Sequence, residues 1–86
     1  MKLAWSVFVI PRARKDMDTL ATDRFGIANE AILGLEKEPR GHQTEKLAGG
    51  GGYRLRIGEY RVLYRIDDSS KRVFVYRVKH RREAYR

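Results

Sequence analysis

The stretch YRLRIGEYRVLYRI, from Tyr53 to Ile66, constrains the fold of this 86-residue chain more than any other part of it. Apolar and polar residues alternate on both sides of Gly58-Glu59, a pattern typical of two antiparallel strands joined by a tight turn. Strands are therefore predicted over residues 53–57 and 60–66. Arginine fills most of the polar positions, so one face of this hairpin is predicted to be cationic.

The rest of the chain predicts two helices between further strands. A strand spans Leu3 to Ile10, which is rich in aromatic and β-branched residues. Pro11 suits the start of a first helix, and a second runs from about Arg24 to Lys37 and ends before Pro39. Residues 38–52 form a connection with four successive glycines. Another strand covers residues 72–79, and HRREAYR closes the chain as a short turn or helical piece.

This order, β-α-α-β-β-β, predicts an α+β fold in one domain over residues 1–86. The apolar stripe of the first helix consists of Ala13, Met17, Leu20 and Ala21. Clustered strands after two helices favour an antiparallel sheet with both helices packed on one face. We expect the other face of the sheet to be open.

Alternation assigns side chains to these two faces. The predicted core face comprises Tyr53, Leu55, Ile57, Val62, Tyr64, Ile66, Phe74, Tyr76 and Val78. The predicted open face comprises Arg54, Arg56, Arg61, Leu63, Arg65, Val73, Val75, Arg77 and Lys79, with Arg81 added if the last strand continues. Trp5 is most simply a core residue. The pattern thus collects basic groups from three strands on one surface.

The net charge of +8 is concentrated in the second half of the chain. Residues 53–86 hold 11 basic and 4 acidic residues, whereas residues 1–52 hold 8 and 7. Grouped cations repel each other unless an anion binds them, and arginine suits bidentate contacts with phosphate. The sequence therefore predicts a polyanionic partner: nucleic acid, an acidic protein or an anionic membrane surface. A solubilising basic surface is the alternative.

The composition excludes several classes of protein. The chain has no cysteine, which excludes disulfides and thiolate metal sites and fits a reducing cytoplasm. No apolar run reaches the roughly 18 residues of a membrane span. The start, MKLAWSVFVIP, has a short apolar run without a small-residue cleavage site, so a first strand is favoured over a signal peptide. The glycine run lacks the Lys-Ser/Thr of a phosphate-binding P-loop.

With these residues in place, the chain resembles the RelE/ParE superfamily of toxin–antitoxin toxins over nearly its whole length. The hairpin YRLRIGEYRVLYRI is the most specific part of the resemblance. EPR after the second helix, EKLAG before the glycines and VKHRREAYR at the end also match.

The resemblance implies the toxin of a type II toxin–antitoxin module. RelE-type members cleave messenger RNA, typically in the ribosomal A site, without a metal. We accordingly expect a metal-independent endoribonuclease that uses 2′-hydroxyl attack and needs no cofactor. ParE-type members share the fold but inhibit DNA gyrase, and they generally lack the full catalytic set, so binding without RNA cleavage is the alternative. A generic RNA-binding module is a third interpretation.

The resemblance assigns the phosphate contacts to arginines. Arg54 and Arg56 match two basic positions on the family's second strand, which are often lysines. Arg61 matches the arginine of the family's YR pair, and Arg81 matches an arginine after the last strand. We expect Arg61 and Arg81 to clamp the scissile phosphate, and Arg54 and Arg56 to hold it or its neighbours. The predicted phosphate-binding surface also includes Arg65, Arg77 and Lys79.

His80 and Tyr85 are the candidates for the general base that takes the proton of the 2′-hydroxyl, because arginine does not lose its proton in proteins. Histidine is a common general base in enzymes, and His80 matches a histidine that some relatives of the family use. Tyr85 matches the family's C-terminal tyrosine with a shorter spacing, and its alternative role is to stack on a base.

The partners implied are a cognate antitoxin, RelB-like or similar, in a toxin–antitoxin hetero-oligomer, and messenger RNA with the ribosome. No membrane partner is expected.

Overall fold

The computed structural model describes residues 5–84, which form five strands and three α-helices. Strand β1 (Ser6–Val9) leads into helices α1 (Pro11–Asp18) and α2 (Thr22–Gly34). Strands β2 (Thr44–Lys46), β3 (Tyr53–Ile57), β4 (Tyr60–Asp67) and β5 (Arg72–His80) follow, and helix α3 (Arg81–Ala84) ends the described chain. A short 3-10 turn covers Ala48–Gly50.

The strands form one sheet in the order β1-β5-β4-β3-β2. The predicted α+β class is confirmed, and the hairpin strands begin where the alternation placed them. Two details differ from the expectation. Strand β1 pairs parallel with β5, so the sheet is not wholly antiparallel. Strand β2 lies inside the segment predicted as a connection and pairs antiparallel with β3.

The core lies between the two long helices and one face of the sheet. Ala13 and Met17 of α1 and Ala28 and Ile32 of α2 are buried, as is Leu35 after α2. The sheet contributes a buried set that includes Leu55, Val62, Tyr64, Val73, Val75 and Val78. Trp5 is also buried, as predicted. Within residues 5–84, no helix has the length and apolar character that crossing a membrane requires.

A register shift in β5 overturns part of the predicted face assignment. Leu63 pairs with Arg77, but the next residue, Tyr64, pairs with Val75, so Tyr76 is an extra residue in β5. Such a bulge reverses which alternate positions face the core. Val73 and Val75, predicted on the open face, are buried at 0% exposure, and Phe74 and Tyr76 lie outside the buried core. The prediction for these four residues was wrong.

The segment after α2 is fastened to the sheet by two neighbouring residues. The buried hydroxyl of Tyr64 donates to the carbonyl of Pro39, and burial raises the pKa of Tyr64 to about 12. Arg40 donates to the Tyr53 hydroxyl at 3.0 Å and to both carboxylate oxygens of Asp68 at 2.8 and 3.1 Å. These contacts give EPR a structural role, because they place the following residues along the edge of β3.

The glycine run reaches β3 through a close approach of two backbones. Gly52 has φ +93°, and a Cβ there would lie 2.3 Å from the carbonyl oxygen of Tyr64. Only glycine satisfies both conditions. The run therefore serves the return from β2 to β3.

Asp16 of α1 accepts hydrogen bonds from the end of β5 that does not pair with β1. Its carboxylate accepts hydrogen bonds from the backbone N–H of Val78 at 2.9 Å and from Arg77 Nε at 2.8 Å. Burial alone would raise the pKa of Asp16, but these two hydrogen bonds and the nearby charges of Arg77 and Arg12 outweigh it and lower that pKa. One side chain thus joins α1 to the part of β5 that β1 does not cover.

We predict that Asp16→Asn lowers the free energy of unfolding by about 1–3 kcal/mol at neutral pH, because it removes hydrogen bonds made by a charged acceptor. The pKa of Asp16 is lowered by folding, so its contribution is complete above the ordinary pKa and is lost as pH falls through the lowered value. The difference between the wild type and the variant should therefore narrow below about pH 4. Urea denaturation at a series of pH values measures the free energy of unfolding of both proteins.

Asp18→Asn is the matched control, since Asp18 is exposed at the end of the same helix. Equal losses for the two variants at every pH would contradict the role of Asp16.

Candidate functional site

The candidate site is a pocket of about 190 Å³ on the open face of the sheet. It is lined by Gln43, Thr44, Glu45, Arg54, Arg56 and Arg61. Three arginines that the sequence predicted to converge thus line one cavity. They come from β3 and β4, and the other lining residues come from β2 and the residue before it.

Strand pairing explains why these side chains meet. Arg56 in β3 lies opposite Arg61 in β4, and Arg61 lies opposite Lys79 in β5. Arg54, two residues before Arg56, shares its face of β3. Three strands therefore contribute a cationic row at the end of the sheet that carries the β3–β4 turn.

Arg61 is the most buried charged residue among those described, with 5% exposure. Its Nη1 donates to the carbonyl oxygens of Gly58 and Tyr60, both at 2.9 Å. These bonds hold the guanidinium against the β3–β4 turn. Arg61 is consequently preorganised for an anion, and it also stabilises the turn.

Glu45 is a site residue that sequence reasoning missed. It pairs with Arg54 across the β2–β3 ladder, and Arg54 Nη2 donates a hydrogen bond to its carboxylate. This hydrogen bond, the charge of Arg54 and the charge of Arg56 lower the pKa of Glu45 against a small effect of burial. Glu45 is the one carboxylate among the residues that line the pocket. Its only signal in the sequence is the short polar run TEK.

Two other predicted phosphate ligands are engaged in contacts within the protein. Arg77 forms the ion pair with Asp16, and its side chain is 27% exposed. Arg65 donates to the carbonyl of Gly50 at 2.7 Å, and its guanidinium lies 5.2 Å from the ring centroid of Tyr76. Neither lines the arginine pocket, whereas Lys79 lies in the same row as Arg61.

The predicted proton-transfer residues do not line the pocket either. His80 pairs with Tyr60, which places it on the side of the sheet that carries α1, and it lines a groove with α1 residues such as Asp16. Its Nε2 lies 3.6 Å from a carboxylate oxygen of Glu59. Tyr85 lies outside the described residues.

Arg81 begins α3 instead of extending β5, so it does not continue the alternation of the open face. Its backbone N–H donates to the carbonyl of Glu59 at 2.7 Å. Arg81 and Arg61 therefore both attach to the β3–β4 turn, through a backbone and a side-chain contact respectively.

This arrangement is suited to binding a phosphodiester. The arginines offer donors and positive charge, and Glu45 offers a proton acceptor beside them. Within residues 5–84, no group of three or more His, Cys, Asp or Glu side chains is placed to hold a metal ion.

Comparisons with known proteins agree with this geometry. The family model described as ParE toxin of type II toxin-antitoxin system, parDE, matches residues 7–85. Toxin RelG of Mycobacterium tuberculosis is 34% identical over 98% of this chain and 99% of its own length. The chain belongs to the RelE/ParE superfamily and is a toxin of the type II toxin–antitoxin class.

Two solved structures show how far the likeness extends. The toxin–antitoxin complex RelBE2 of M. tuberculosis contains a chain with a TM-score of 0.82 and 33% identity, which covers 92% of this chain and 100% of that one. An archaeal RelE–RelB complex from Pyrococcus horikoshii contains one with a TM-score of 0.80 and 27% identity, which covers 92% and 97%. The order of helices and strands is thus shared along nearly the whole chain.

We predict that Glu45→Gln tightens binding of a short single-stranded RNA whose 2′-hydroxyls are methylated. The substitution removes a negative charge beside Arg54 and Arg56, so the RNA backbone meets one fewer like charge and its affinity should rise a few-fold. Fluorescence anisotropy at low salt measures the change. Glu30→Gln, on the exposed surface of α2, is the control with the same change of charge. Equal affinities for both variants would contradict the assignment of the pocket.

Proposed function

We propose that this toxin is a metal-independent endoribonuclease that cleaves messenger RNA at the ribosome. One observation carries the proposal: Arg54, Arg56 and Arg61 line a single pocket with Glu45 on the open face of the sheet. A cationic pocket that also contains a proton acceptor meets two of the three needs of RNA cleavage, a base and cations for the charge on the phosphate, while the acid comes from outside the pocket.

In the proposed reaction, a ribose 2′-oxygen attacks the adjacent phosphorus and the bond to the 5′-oxygen breaks. The products are a 2′,3′-cyclic phosphate and a new 5′-hydroxyl. Negative charge builds on the phosphate oxygens in the transition state, and preorganised donors stabilise it. Arg61 fits this role because its guanidinium is already held by the β3–β4 turn. Arg56 and Arg54 hold the same phosphate or its neighbour, and Arg81 completes the clamp from the start of α3.

Glu45 is the proposed general base that accepts the proton of the 2′-hydroxyl. Its pKa is lowered by Arg54, so it is ionised at neutral pH. The arginines cannot take this role. The proton for the leaving 5′-oxygen comes from Tyr85 in this proposal. His80 is the alternative acid, and it would have to reach the phosphate around the end of β5.

The proposed partners are a RelB-type antitoxin, messenger RNA and the ribosome, in the cytoplasm. The structural relatives in M. tuberculosis and P. horikoshii are RelBE complexes, which supports an antitoxin of this type and a toxin–antitoxin hetero-oligomer. The net charge of +8 complements RNA and an acidic antitoxin segment alike.

The second candidate function is inhibition of DNA gyrase by binding alone. It is favoured by the family model, which is described as ParE toxin. The two functions predict different products, since only the endoribonuclease leaves new 5′-hydroxyl ends in a translated message.

We predict that Arg56→Ala slows cleavage of a translated message roughly 100- to 1,000-fold, because one preorganised cation is lost from the transition state. Arg56 is a better test than Arg61, since it is exposed and Arg61 also stabilises the turn. Arg24→Ala on α2 removes the same charge from the helical side and should retain wild-type cleavage. Intact message with the wild-type toxin, together with gyrase inhibition, would reject the catalytic proposal.

Glu45→Gln should slow cleavage by about 100-fold or more, the usual contribution of a general base. The wild-type cleavage rate should fall with decreasing pH as Glu45 is protonated. Because the pKa of Glu45 is lowered, this fall should occur at a pH below the ordinary pKa of a glutamate side chain. The variant should lack this decline. Single-turnover cleavage over a pH series distinguishes the two. A variant with wild-type rates would show that the base is another residue.

A further inference from the structure

A second cluster on the open face lies outside the arginine pocket. Phe8 of β1 pairs with Phe74 of β5, and the two rings stack with centroids 5.6 Å apart and planes inclined by 20°. Phe8 is 45% exposed, so part of its ring faces solvent beside Phe74. The bulge in β5 is the reason that Phe74 faces outward.

Cationic side chains accompany these rings. The guanidinium of Arg72 lies 6.0 Å from the centroid of Phe8, and that of Arg65 lies 5.2 Å from the centroid of Tyr76. The Tyr76 hydroxyl donates to the carbonyl of Gly51, so the ring is fixed against the glycine run. We call Phe8, Phe74, Tyr76, Arg65 and Arg72 the aromatic patch.

The aromatic patch and the arginine pocket share one surface. Arg61 and Arg65 both project from the open face of β4, four residues apart, which corresponds to roughly 13 Å along a strand. Phe74 pairs with Arg65 in the ladder. A single-stranded chain bound in the pocket can therefore run along β4 and β5 to the patch without leaving the face.

We propose that the aromatic patch is a base-stacking subsite for the single-stranded RNA that flanks the phosphate in the arginine pocket. This inference rests on the proposed function, since it extends the same RNA across the sheet. Exposed aromatic rings on a sheet face stack with bases in many RNA-binding domains, and neighbouring arginines contact the backbone. Arg65 and Arg72 place two cations beside the rings, which suits an RNA backbone, and Asp67 lies opposite Arg72 in the ladder.

The test is equilibrium binding of a 2′-O-methylated RNA long enough to span both sites, measured by fluorescence anisotropy at several salt concentrations. Phe8→Leu keeps an apolar side chain but removes the ring, and it should weaken binding roughly tenfold, as the loss of one stacked base does. Phe8→Tyr restores a ring and should restore affinity. The slope of log K against log salt should stay unchanged in both variants, because no phosphate contact is lost.

Arg72→Gln should behave differently, because it removes a cation that meets the backbone. Its salt slope should be smaller in magnitude by about 0.7, the value for one single-strand phosphate contact. Phe74→Leu is a second ring deletion at a less exposed position, so the conclusion does not depend on Phe8 alone. Ile27→Ala, another large exposed side chain but on α2, should change neither affinity nor slope.

Wild-type affinity in both Phe8→Leu and Phe74→Leu would overturn the inference. It would leave the proposed function untouched, because cleavage at the arginine pocket is measured separately. Unchanged RNA affinity combined with loss of a toxin dimer or of antitoxin binding in these variants would assign the aromatic patch to protein contacts, and would overturn the inference as well.

Discussion

The burial of alternate residues in β4 is the constraint on which the site depends. Val62 and Tyr64 are fully buried against the helices, and a slip of one residue would place an arginine, Arg61 or Arg65, at one of these two positions. Their burial therefore fixes the register of β4 with β3 and β5. This register sets Arg61 opposite both Arg56 and Lys79. The burial of apolar side chains on the core face of the sheet therefore supplies the free energy that holds the cations side by side on the open face.

The bulge at Tyr76 divides the open face into two regions with different chemistry. Before the bulge, Phe74 faces outward beside Phe8. After it, Val78 returns to the core, and Arg77 reaches Asp16 of α1. One extra residue thus produces the aromatic patch, whereas the ion pair with Asp16 engages Arg77. Asp16 holds the same part of β5 through Val78, so α1 stabilises the strand end from which Lys79 extends.

The hairpin and its arginines could be predicted from sequence because residues 53–66 alternate apolar and charged positions along most of their length, with Leu63 as the exception. The bulge could not, since VFVY, residues 73–76, is apolar in both alternate sets and either set can face the core. Strand β2 was not predicted because its three residues, TEK, show no alternation of apolar and polar side chains. Glu45, which lies in this strand, was missed for the same reason. For His80, the resemblance suggested catalysis, whereas its spacing of two from Val78 already placed it on the core side.

Glu45 reduces the electrostatic repulsion among the three arginines of the pocket, but one carboxylate does not neutralise their charge. Arg54, Arg56 and Arg61 line a pocket with a single carboxylate, which leaves an excess of positive charge on a partly enclosed surface. Glu45 accepts a hydrogen bond from Arg54, and the carbonyls of Gly58 and Tyr60 accept hydrogen bonds from Arg61. Backbone carbonyls orient a guanidinium while leaving its net charge in place. A phosphate entering the pocket therefore meets donors that are already positioned, and its charge would reduce the repulsion among the three guanidinium groups.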